Sequence, residues 1–223
     1  MTIFAISDLH LPAREKPMDI FGAHWENHFE RIAQDLCARV GEDDIVLLPG
    51  DLTWAMRLED ALEDLARVGA LPGRKLILRG NHDYWWSAIV QVRRALPEGM
   101  YAIQNDALTL SGLLFAGSRG WTLPSPETDA DDERIYNRER QRLELSLKAA
   151  RRISGDMPLC VMMHYPPFSQ ACEGYSDLLR EYGVKHCVYG HLHGSAHISR
   201  PRIMNCHLVS SDFLDFEPKK LTD

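Results

Sequence analysis

The chain has no apolar run of the about 18 residues that a bilayer-spanning helix requires. Its N-terminal stretch also lacks the pattern of a secretory signal, because no basic region precedes it and polar residues, among them Asp8 and His10, follow after a few apolar ones. We therefore expect a cytoplasmic protein with no signal peptide and no membrane contact.

Cysteine is scarce and is not arranged for a structural role. The five residues are odd in number and show no Cys-x-x-Cys spacing, which argues against a disulfide framework and against a zinc site made of thiolates. Reduced thiols are the simplest account, and Cys160 and Cys187 fall in apolar segments where they would pack inside strands.

Basic residues are fewer than acidic ones. The 223 residues include 25 Lys and Arg against 32 Asp and Glu, which gives a net charge of -7. This balance disfavours a protein that coats nucleic acid, since such proteins cluster basic residues along the phosphate backbone. A small phosphorylated substrate stays possible, because bound cations can reverse the local field of a site.

What the sequence does contain is a series of short apolar runs that alternate with amphipathic segments. The alternation of strands and helices up to residue 78 predicts a parallel sheet with right-handed crossovers, and hairpin-like strands between 101 and 116 make the architecture mixed. Strands are expected at 2–7, 45–48, 75–78, 101–103, 107–110, 113–116, 159–163, 186–189 and near 195–209, helices at 25–40, 56–68, 84–95, 133–153 and 176–182, and a polar tail at 217–223.

Polar residues that can bind metal follow five of these apolar runs. They are Asp8, His10, Asp51, Asn81, His164, His191 and His193. The carboxyl ends of parallel strands are where open α/β sheets place their sites, so these side chains should converge. One site must gather ligands from residue 8 to residue 193, so we expect one domain over 1–223.

Three oxygen ligands and four imidazoles are too many for one four-coordinate ion. A carboxylate such as Asp51 can bridge two metal ions. Without thiolates, the set suits Mn, Fe or Zn better than Mg, with Mn²⁺ the first choice. Two such ions about 3.5–4 Å apart activate water and hold the oxygens of an in-line displacement at phosphorus. Any one of these residues alone would be an ordinary polar residue at a strand end.

His82 differs from the other imidazoles, because its neighbour Asn81 is the better-placed ligand. Its ring could then protonate a leaving alcohol, with Asp83 or a backbone carbonyl fixing its tautomer. Arg119 lies in a Gly-bearing loop after a strand, which suits either a phosphate clamp that binds substrate or a structural salt bridge.

Two further features have ordinary explanations. His24 and His28 are four residues apart in a predicted helix, but Glu26 is misplaced for a zinc-protease motif, so a solvated helix face is expected. Tyr84-Trp85-Trp86 could line a pocket, or could pack in the core as aromatic residues at a helix start commonly do.

Taken in order along the chain, the motifs are those of a known superfamily. They are Asp8-x-His10, Gly50-Asp51, Gly80-Asn81-His82-Asp83, His164 and Gly190-His191-x-His193. The series resembles the calcineurin-like metallophosphoesterase superfamily, and within it the small bacterial predicted phosphohydrolases. Where Ser/Thr protein phosphatases continue with Asp-Arg after the second motif, this chain has Leu52-Thr53-Trp54, so protein substrates are not expected.

The resemblance implies an α/β fold, namely a four-layer α/β/β/α sandwich with two mixed β-sheets. It also implies a dinuclear-metal enzyme that hydrolyses a phosphomonoester or phosphodiester by in-line attack of a metal-bridging hydroxide. One metal would be held by Asp8, His10 and His193 with Asp51 bridging. The other would be completed by Asn81, His164 and His191, with His82 as the general acid.

The sequence leaves two alternatives open. Monoester and diester substrates are not distinguished by these motifs, although p-nitrophenyl phosphate and bis(p-nitrophenyl) phosphate would separate them. The second alternative is a non-catalytic metal-binding scaffold on the same fold; such scaffolds tend to lose ligands or the acid His, and this chain retains them all. The sequence does not predict the oligomeric state or the physiological substrate.

Overall fold

The structure is a computed structural model that describes residues 1–13, 17–194 and 205–221. In chain order its elements are β1 (Ile3–Ala5), α1 (His28–Arg39), β2 (Ile45–Pro49), α2 (Leu58–Gly69), β3 (Arg74–Leu78), α3 (Ile89–Ala95), β4 (Met100–Ile103), β5 (Ala107–Leu110), β6 (Leu113–Ser118), α4 (Ala130–Ile153), β7 (Leu159–Met163), α5 (Ser176–Glu181), β8 (Val184–Tyr189), β9 (Cys206–Leu208) and β10 (Lys219–Leu221). Two short 3-10 helices, Met18–Phe21 and Ala23–Trp25, precede α1.

The strands form two five-stranded sheets within the described residues. The first has the order β10-β1-β2-β3-β4 and the second the order β5-β6-β7-β8-β9. Strands β1 to β4 are parallel and β10 runs antiparallel to β1. In the second sheet β6 to β9 are parallel and β5 is antiparallel to β6. Both sheets are therefore mixed, as the sequence predicted.

The layer order follows from the side chains on the two faces of each sheet. In β2, Val46 and Leu48 pack in one apolar cluster with α1 and α2, whereas Ile45 and Leu47 pack in another with residues of the second sheet, such as Phe115. A third cluster packs the opposite face of the second sheet against α4 and α5. Alternating strand residues thus build a helix/sheet/sheet/helix sandwich, the predicted four layers.

Three element predictions differ from the structure. The helix expected from 84 begins only at Ile89, because the residues before it form a turn whose indoles hydrogen-bond elsewhere. Helix α4 begins at Ala130, where Asp129 caps it by accepting the N–H of Asp132 at 2.8 Å. The expected polar tail contains β10, which pairs with β1. Of the β structure expected near 195–209, residues 195–204 lie outside the described residues.

Two predictions about single side chains have opposite outcomes. Cys160 and Cys187 are buried in strands as expected, and all five thiols are free. The prediction of a solvated helix face was wrong for His28, which is buried. Its Nε2 lies 2.8 Å from the carbonyl oxygen of Leu9 and its Nδ1 lies 3.0 Å from that of Trp25.

Among the described residues, none of the helices combines the length and apolar character that a bilayer-spanning segment requires.

Candidate metal centre

The seven predicted ligands all follow strands at their carboxyl ends. Asp8 and His10 follow β1, Asp51 follows β2, Asn81 follows β3, His164 follows β7, and His191 and His193 follow β8. Strands β1, β2 and β3 are parallel neighbours in the first sheet, and β7 and β8 are parallel neighbours in the second. Because the two sheets pack face to face, the loops of both sheets meet at one edge. The structure brings all seven side chains together there.

The backbone of these loops is held in an uncommon conformation. Four of the seven ligand residues have a positive φ, namely Asp8 (57°), His10 (45°), Asp51 (54°) and His191 (69°). Such conformations cost of order 1–3 kcal/mol each and persist where the surroundings enforce them. The enforcement is visible in hydrogen bonds between loops: the N–H of Asp8 donates to Gly50 at 3.1 Å and the N–H of His10 donates to Asp51 at 3.0 Å.

Glycine precedes ligands where two of these loops touch. A Cβ on Gly80 would lie 2.0 Å from Oδ1 of Asp51, and a Cβ on Gly190 would lie 2.4 Å from Oδ2 of Asp8. No side chain fits at such distances, so the glycines of the Gly-Asn-His-Asp and Gly-His-x-His motifs are needed for the loops to approach each other.

One group of possible ligands comprises Asp8, His10 and His193, whose ligand atoms all lie within 4.8 Å of one another. Nε2 of His10 and Nε2 of His193 are each 3.9 Å from Oδ1 of Asp8. These separations are too long for hydrogen bonds. They are close to the roughly 3–3.5 Å that separates neighbouring ligands bound to one ion at about 2.1 Å.

The second group comprises Asp8, Asp51 and His164. Nδ1 of His164 lies 3.0 Å from the carbonyl of Pro49, which can only accept, so Nδ1 carries the proton and Nε2 presents a lone pair. That Nε2 lies 3.4 Å from Oδ2 of Asp51 and 2.6 Å from Oδ1 of Asn81. Nδ1 of His191 lies 3.0 Å from the same amide oxygen.

Asp51 belongs to the second group and also lies close to His10 of the first. Its Oδ2 is 3.9 Å from Nε2 of His10 and 3.4 Å from Nε2 of His164, and its Oδ1 accepts the N–H of His82 at 2.8 Å. This is the position that a bridging carboxylate needs. Asp8 also contributes to both groups, a proximity that the sequence did not predict.

The electrostatics of the cluster favour a cation. Burial raises the pKa of Asp51 well above its ordinary value of 3.8, and the carboxylates of Asp8 and Asp83 raise it further. Burial lowers the pKa of His10 to about 3 and that of His191 to about 4, so both rings are neutral with a lone pair available. Buried carboxylates and neutral imidazoles whose lone pairs converge fit divalent metal ions.

His82 lies outside both ligand groups, at the border of a cleft of about 1140 Å³. Its ring centroid is 4.5 Å from that of Trp54, 5.8 Å from that of His10 and 6.1 Å from that of Tyr84. The cleft is lined mainly by apolar, aromatic and acidic side chains, namely Phe21, Trp54, Met56, Leu62, Tyr84, Glu59, Asp60 and Glu63.

The aromatic run after His82 divides between cleft and core. Tyr84 is exposed and lines the cleft, whereas Trp85 and Trp86 are buried. The indole N–H of Trp85 donates to Asp83 at 2.9 Å and that of Trp86 donates to Gln104 at 2.7 Å. Both alternatives raised by the sequence therefore apply, each to different residues of the run.

Asp83 itself does not orient the ring of His82 by a hydrogen bond among those found in the described residues. Its fully buried carboxylate accepts four N–H groups elsewhere, including those of Asp51 and Gly80 on Oδ2 at 2.9 and 2.7 Å. Oδ1 accepts the N–H of Leu52 and the indole N–H of Trp85, both at 2.9 Å. Asp83 thus joins the loop after β2 to the loop after β3.

The residues that hold the predicted ligands in place were not predicted from the sequence. Asp212 lies 2.9 Å from Nδ1 of His193, and its other oxygen accepts the N–H of Gly194 at 2.9 Å. Ser7 donates to the carboxylate of Asp8, and Ser211 donates to its carbonyl at 2.7 Å. Ser211 and Asp212 follow β9, so the pattern that identified the ligands, polar residues directly after a strand, was available for them too.

Arg119 lies on a second cavity, of about 260 Å³, rather than on the cleft beside His82. Its guanidinium is 3.5 Å from Oε1 of Glu139 and stacks over Trp121 at 4.6 Å. Its carbonyl accepts the N–H of His164 at 3.1 Å, so it supports the metal centre through its backbone.

Two mixed sheets between helical layers, with carboxylate, amide and imidazole ligands at the strand ends, define a metal-binding α/β protein of the metallo-dependent phosphatase fold. The family model described as calcineurin-like phosphoesterase matches residues 1–195. The chain therefore belongs to the calcineurin-like phosphoesterase family and is a metallophosphoesterase.

Two other comparisons with known proteins were made, one with solved structures and one with curated proteins. The chain is similar to a crystal structure titled as the protein of unknown function AQ665 from Aquifex aeolicus, with 17% identity, a TM-score of 0.56, and coverage of 98% of this chain and 95% of that one. At this identity the similarity concerns the fold alone. A search of the curated proteins found no match.

Proposed function

We propose that the protein hydrolyses a P–O bond of a phosphomonoester or phosphodiester with the help of two divalent cations, Mn²⁺ in the first instance and Fe or Zn otherwise. The observation that carries this proposal is the convergence of Nε2 of His164, Oδ1 of Asn81 and Oδ2 of Asp51 with a lone pair on each atom. Such an arrangement is repulsive unless a cation lies among them.

The residues divide naturally between two cations. Asp8, His10 and His193 would hold one, Asn81, His164 and His191 would hold the other, and Asp51 would bridge them. Bound there, the two cations would supply an activated water nucleophile and neutralise charge on the phosphoryl group.

His82 would act as the general acid. Its position on the cleft, outside both ligand groups, leaves it the imidazole best placed to give a ring proton to the departing alcohol oxygen. Trp54 covers one side of this ring, which limits the access of water from that direction.

The cleft beside His82 would receive the alcohol part of the substrate. The described residues that line it include no Arg or Lys, whereas Glu59, Asp60 and Glu63 supply negative charge and Phe21, Met56 and Tyr84 supply apolar surface. An alcohol that is partly apolar and neutral or cationic would suit this lining better than one that carries further anionic groups.

The proposal is tested by metal analysis and hydrolysis together. Protein purified without chelator should contain about two divalent ions per chain, and chelation should abolish hydrolysis that Mn²⁺ then restores. p-Nitrophenyl phosphate and bis(p-nitrophenyl) phosphate separate a monoesterase from a diesterase. A protein that binds two metals but hydrolyses neither of these compounds nor a wider panel of phosphoesters would contradict the proposal and favour a non-catalytic scaffold.

His82→Ala tests the assignment of the acid. Turnover should fall while the metal content stays intact, and the fall should be larger for alkyl phosphates than for p-nitrophenyl phosphate, whose leaving group needs little protonation. His24→Ala, which changes an exposed histidine outside the cleft, is the matched control. Loss of metal from His82→Ala would make His82 a ligand instead.

A further inference from the structure

The cavity of about 260 Å³ that contains Arg119 is unusually rich in positive charge. Its lining comes from the ends of β3, β4 and β6, from the residues directly after them, and from α4. Its lining carries four guanidinium groups, from Arg79, Arg119, Arg138 and Arg142, against the single carboxylate of Glu139.

The single negative charge of Glu139 cannot balance the four positive charges on the cavity. Its Oε1 is shared by Arg142 at 2.6 Å and Arg119 at 3.5 Å, and its Oε2 accepts the hydroxyl of Ser118 at 2.9 Å. One buried negative charge is therefore divided between two guanidinium groups, and the other two guanidinium groups on the cavity have no share in it.

Arg79 and Arg138 are the two arginines on the cavity that do not pair with Glu139. Neither has an ion pair among those found in the described residues, and Nε of Arg79 is buried with no hydrogen-bond partner there. A buried donor of this kind costs free energy unless an acceptor reaches it. Gln104 adds a neutral donor to the lining, because its amide oxygen already accepts the indole N–H of Trp86 and its NH₂ group remains to donate.

We propose that this cavity is a binding site for a free oxyanion, and specifically for inorganic phosphate. Guanidinium groups present paired N–H donors in a planar fork that matches the oxygens of phosphate, and several of them around one cavity are the usual composition of such a site. The site is separate from the cleft beside His82, whose described lining has the opposite charge.

The anion site is linked to the metal centre through the backbone. Arg79 precedes Asn81 by two residues in the same loop, and the carbonyl of Arg119 accepts the N–H groups of His164 and Tyr165 at 3.1 and 2.9 Å. Phosphate that bridges the side chains of Arg79 and Arg119 would hold the loop that carries Asn81 against the loop whose backbone bonds to His164.

Equilibrium dialysis with radiolabelled inorganic phosphate tests the proposal on the full chain, with and without chelator. Wild-type protein freed of metal should still bind about one phosphate per chain. Arg138→Ala should weaken this binding by about tenfold or more, since a charge-assisted hydrogen bond to phosphate is lost. Arg152→Ala, an exposed arginine on the same helix that is not on the cavity, should bind like wild type.

The outcomes separate this site from the hydrolytic one. Absence of metal-independent phosphate binding, or equal affinity in Arg138→Ala and wild type, would overturn the proposal. Should Arg138→Ala fail to fold, Arg79→Gln provides the same comparison. Because the measurement needs neither metal nor turnover, an inactive protein that binds phosphate here would refute the proposed hydrolysis and leave the anion site standing.

Discussion

Asp212 lies 2.9 Å from Nδ1 of His193, 19 residues earlier in the chain. A carboxylate can only accept, so this contact puts the proton on Nδ1 and leaves the lone pair of Nε2 directed toward Asp8, from which it is 3.9 Å away. The hydrogen bond to Asp212 and the charges of Asp8 and Asp212 raise the pKa of His193, although burial acts against them. The orientation of one predicted metal ligand is therefore set by a residue that lies outside both ligand groups.

Asp212→Asn should weaken metal binding by about 10–100-fold, as is usual when the partner of a ligating histidine is changed. The measurement is a titration of chelator-treated protein with Mn²⁺. Asp215→Asn is the control, because Asp215 is exposed and pairs with Arg31 instead. Equal affinities in the two variants would show that Asp212 does not position His193.

Gly80→Ala should displace the carboxylate of Asp51, since a Cβ would lie 2.0 Å from its Oδ1 and 2.4 Å from its backbone nitrogen. The contact with the backbone nitrogen cannot be relieved by turning a side chain, so the two loops must separate. We expect loss of bound metal, measured by elemental analysis of the purified variant. Gly155→Ala, where a Cβ meets open space, should retain metal like the unchanged protein.

Asp83→Asn should destabilise the fold by about 2 kcal/mol or more. The substitution turns one acceptor oxygen into a donor that faces two buried N–H groups, each worth about 1–3 kcal/mol when left unsatisfied. Denaturant unfolding monitored by tryptophan fluorescence measures this cost. Asp106→Asn, a half-buried carboxylate that pairs with Arg93, should cost less; a reversed order would contradict the proposed role of Asp83.

Asp44 provides a prediction about pH. Its carboxylate accepts the N–H of Gly41 at 2.9 Å and that of Thr2 at 2.5 Å, and the bond from Gly41 is the main reason that its pKa is lowered. Because the folded-state pKa is lowered, the stabilisation is fully present above the ordinary value of 3.8 and is lost as the pH falls through the folded-state value.

Asp44→Ala should therefore be less stable than wild type at pH 7, and the difference should narrow as the pH falls below 3.8. Urea unfolding at a series of pH values measures it. Asp43→Ala, which removes a neighbouring exposed carboxylate, should show a smaller difference at pH 7. A difference for Asp44→Ala that grows on acidification would contradict the sign of the argument.

The convergence of the seven side chains could be predicted from the sequence because their positions follow from topology. Once parallel strands are recognised, polar residues such as Asp51 and Asn81 after neighbouring strands must meet at one edge. Side chains that act through distant contacts were harder to predict. Nothing near Asp83 in sequence indicates that it accepts N–H groups from residues 51 and 52, and Lys219–Leu221 becomes a strand only because β1 has a free edge for it.

Burial explains the other errors. His28 was expected on a solvated face because the position of Glu26 does not fit a zinc-protease motif. Instead its ring nitrogen lies 2.8 Å from the carbonyl of Leu9, the residue between Asp8 and His10. The helix expected from Tyr84 starts later because the indoles of Trp85 and Trp86 bond to Asp83 and Gln104, contacts that helical periodicity cannot reveal.

Tyr84 tests the cleft as the place where the alcohol part of the substrate binds. Its ring is exposed on the cleft with its centroid 6.1 Å from that of His82, so an aromatic leaving group beside His82 would contact it. Tyr84→Ala should raise the KM for an aryl phosphate about 2–10-fold, the worth of one aromatic contact, and should leave the metal content unchanged. Tyr101→Ala, which removes an exposed tyrosine from β4, is the control. If both variants keep the wild-type KM for aryl and alkyl phosphates alike, the alcohol binds elsewhere, since an occupied cleft could not lose this ring without effect.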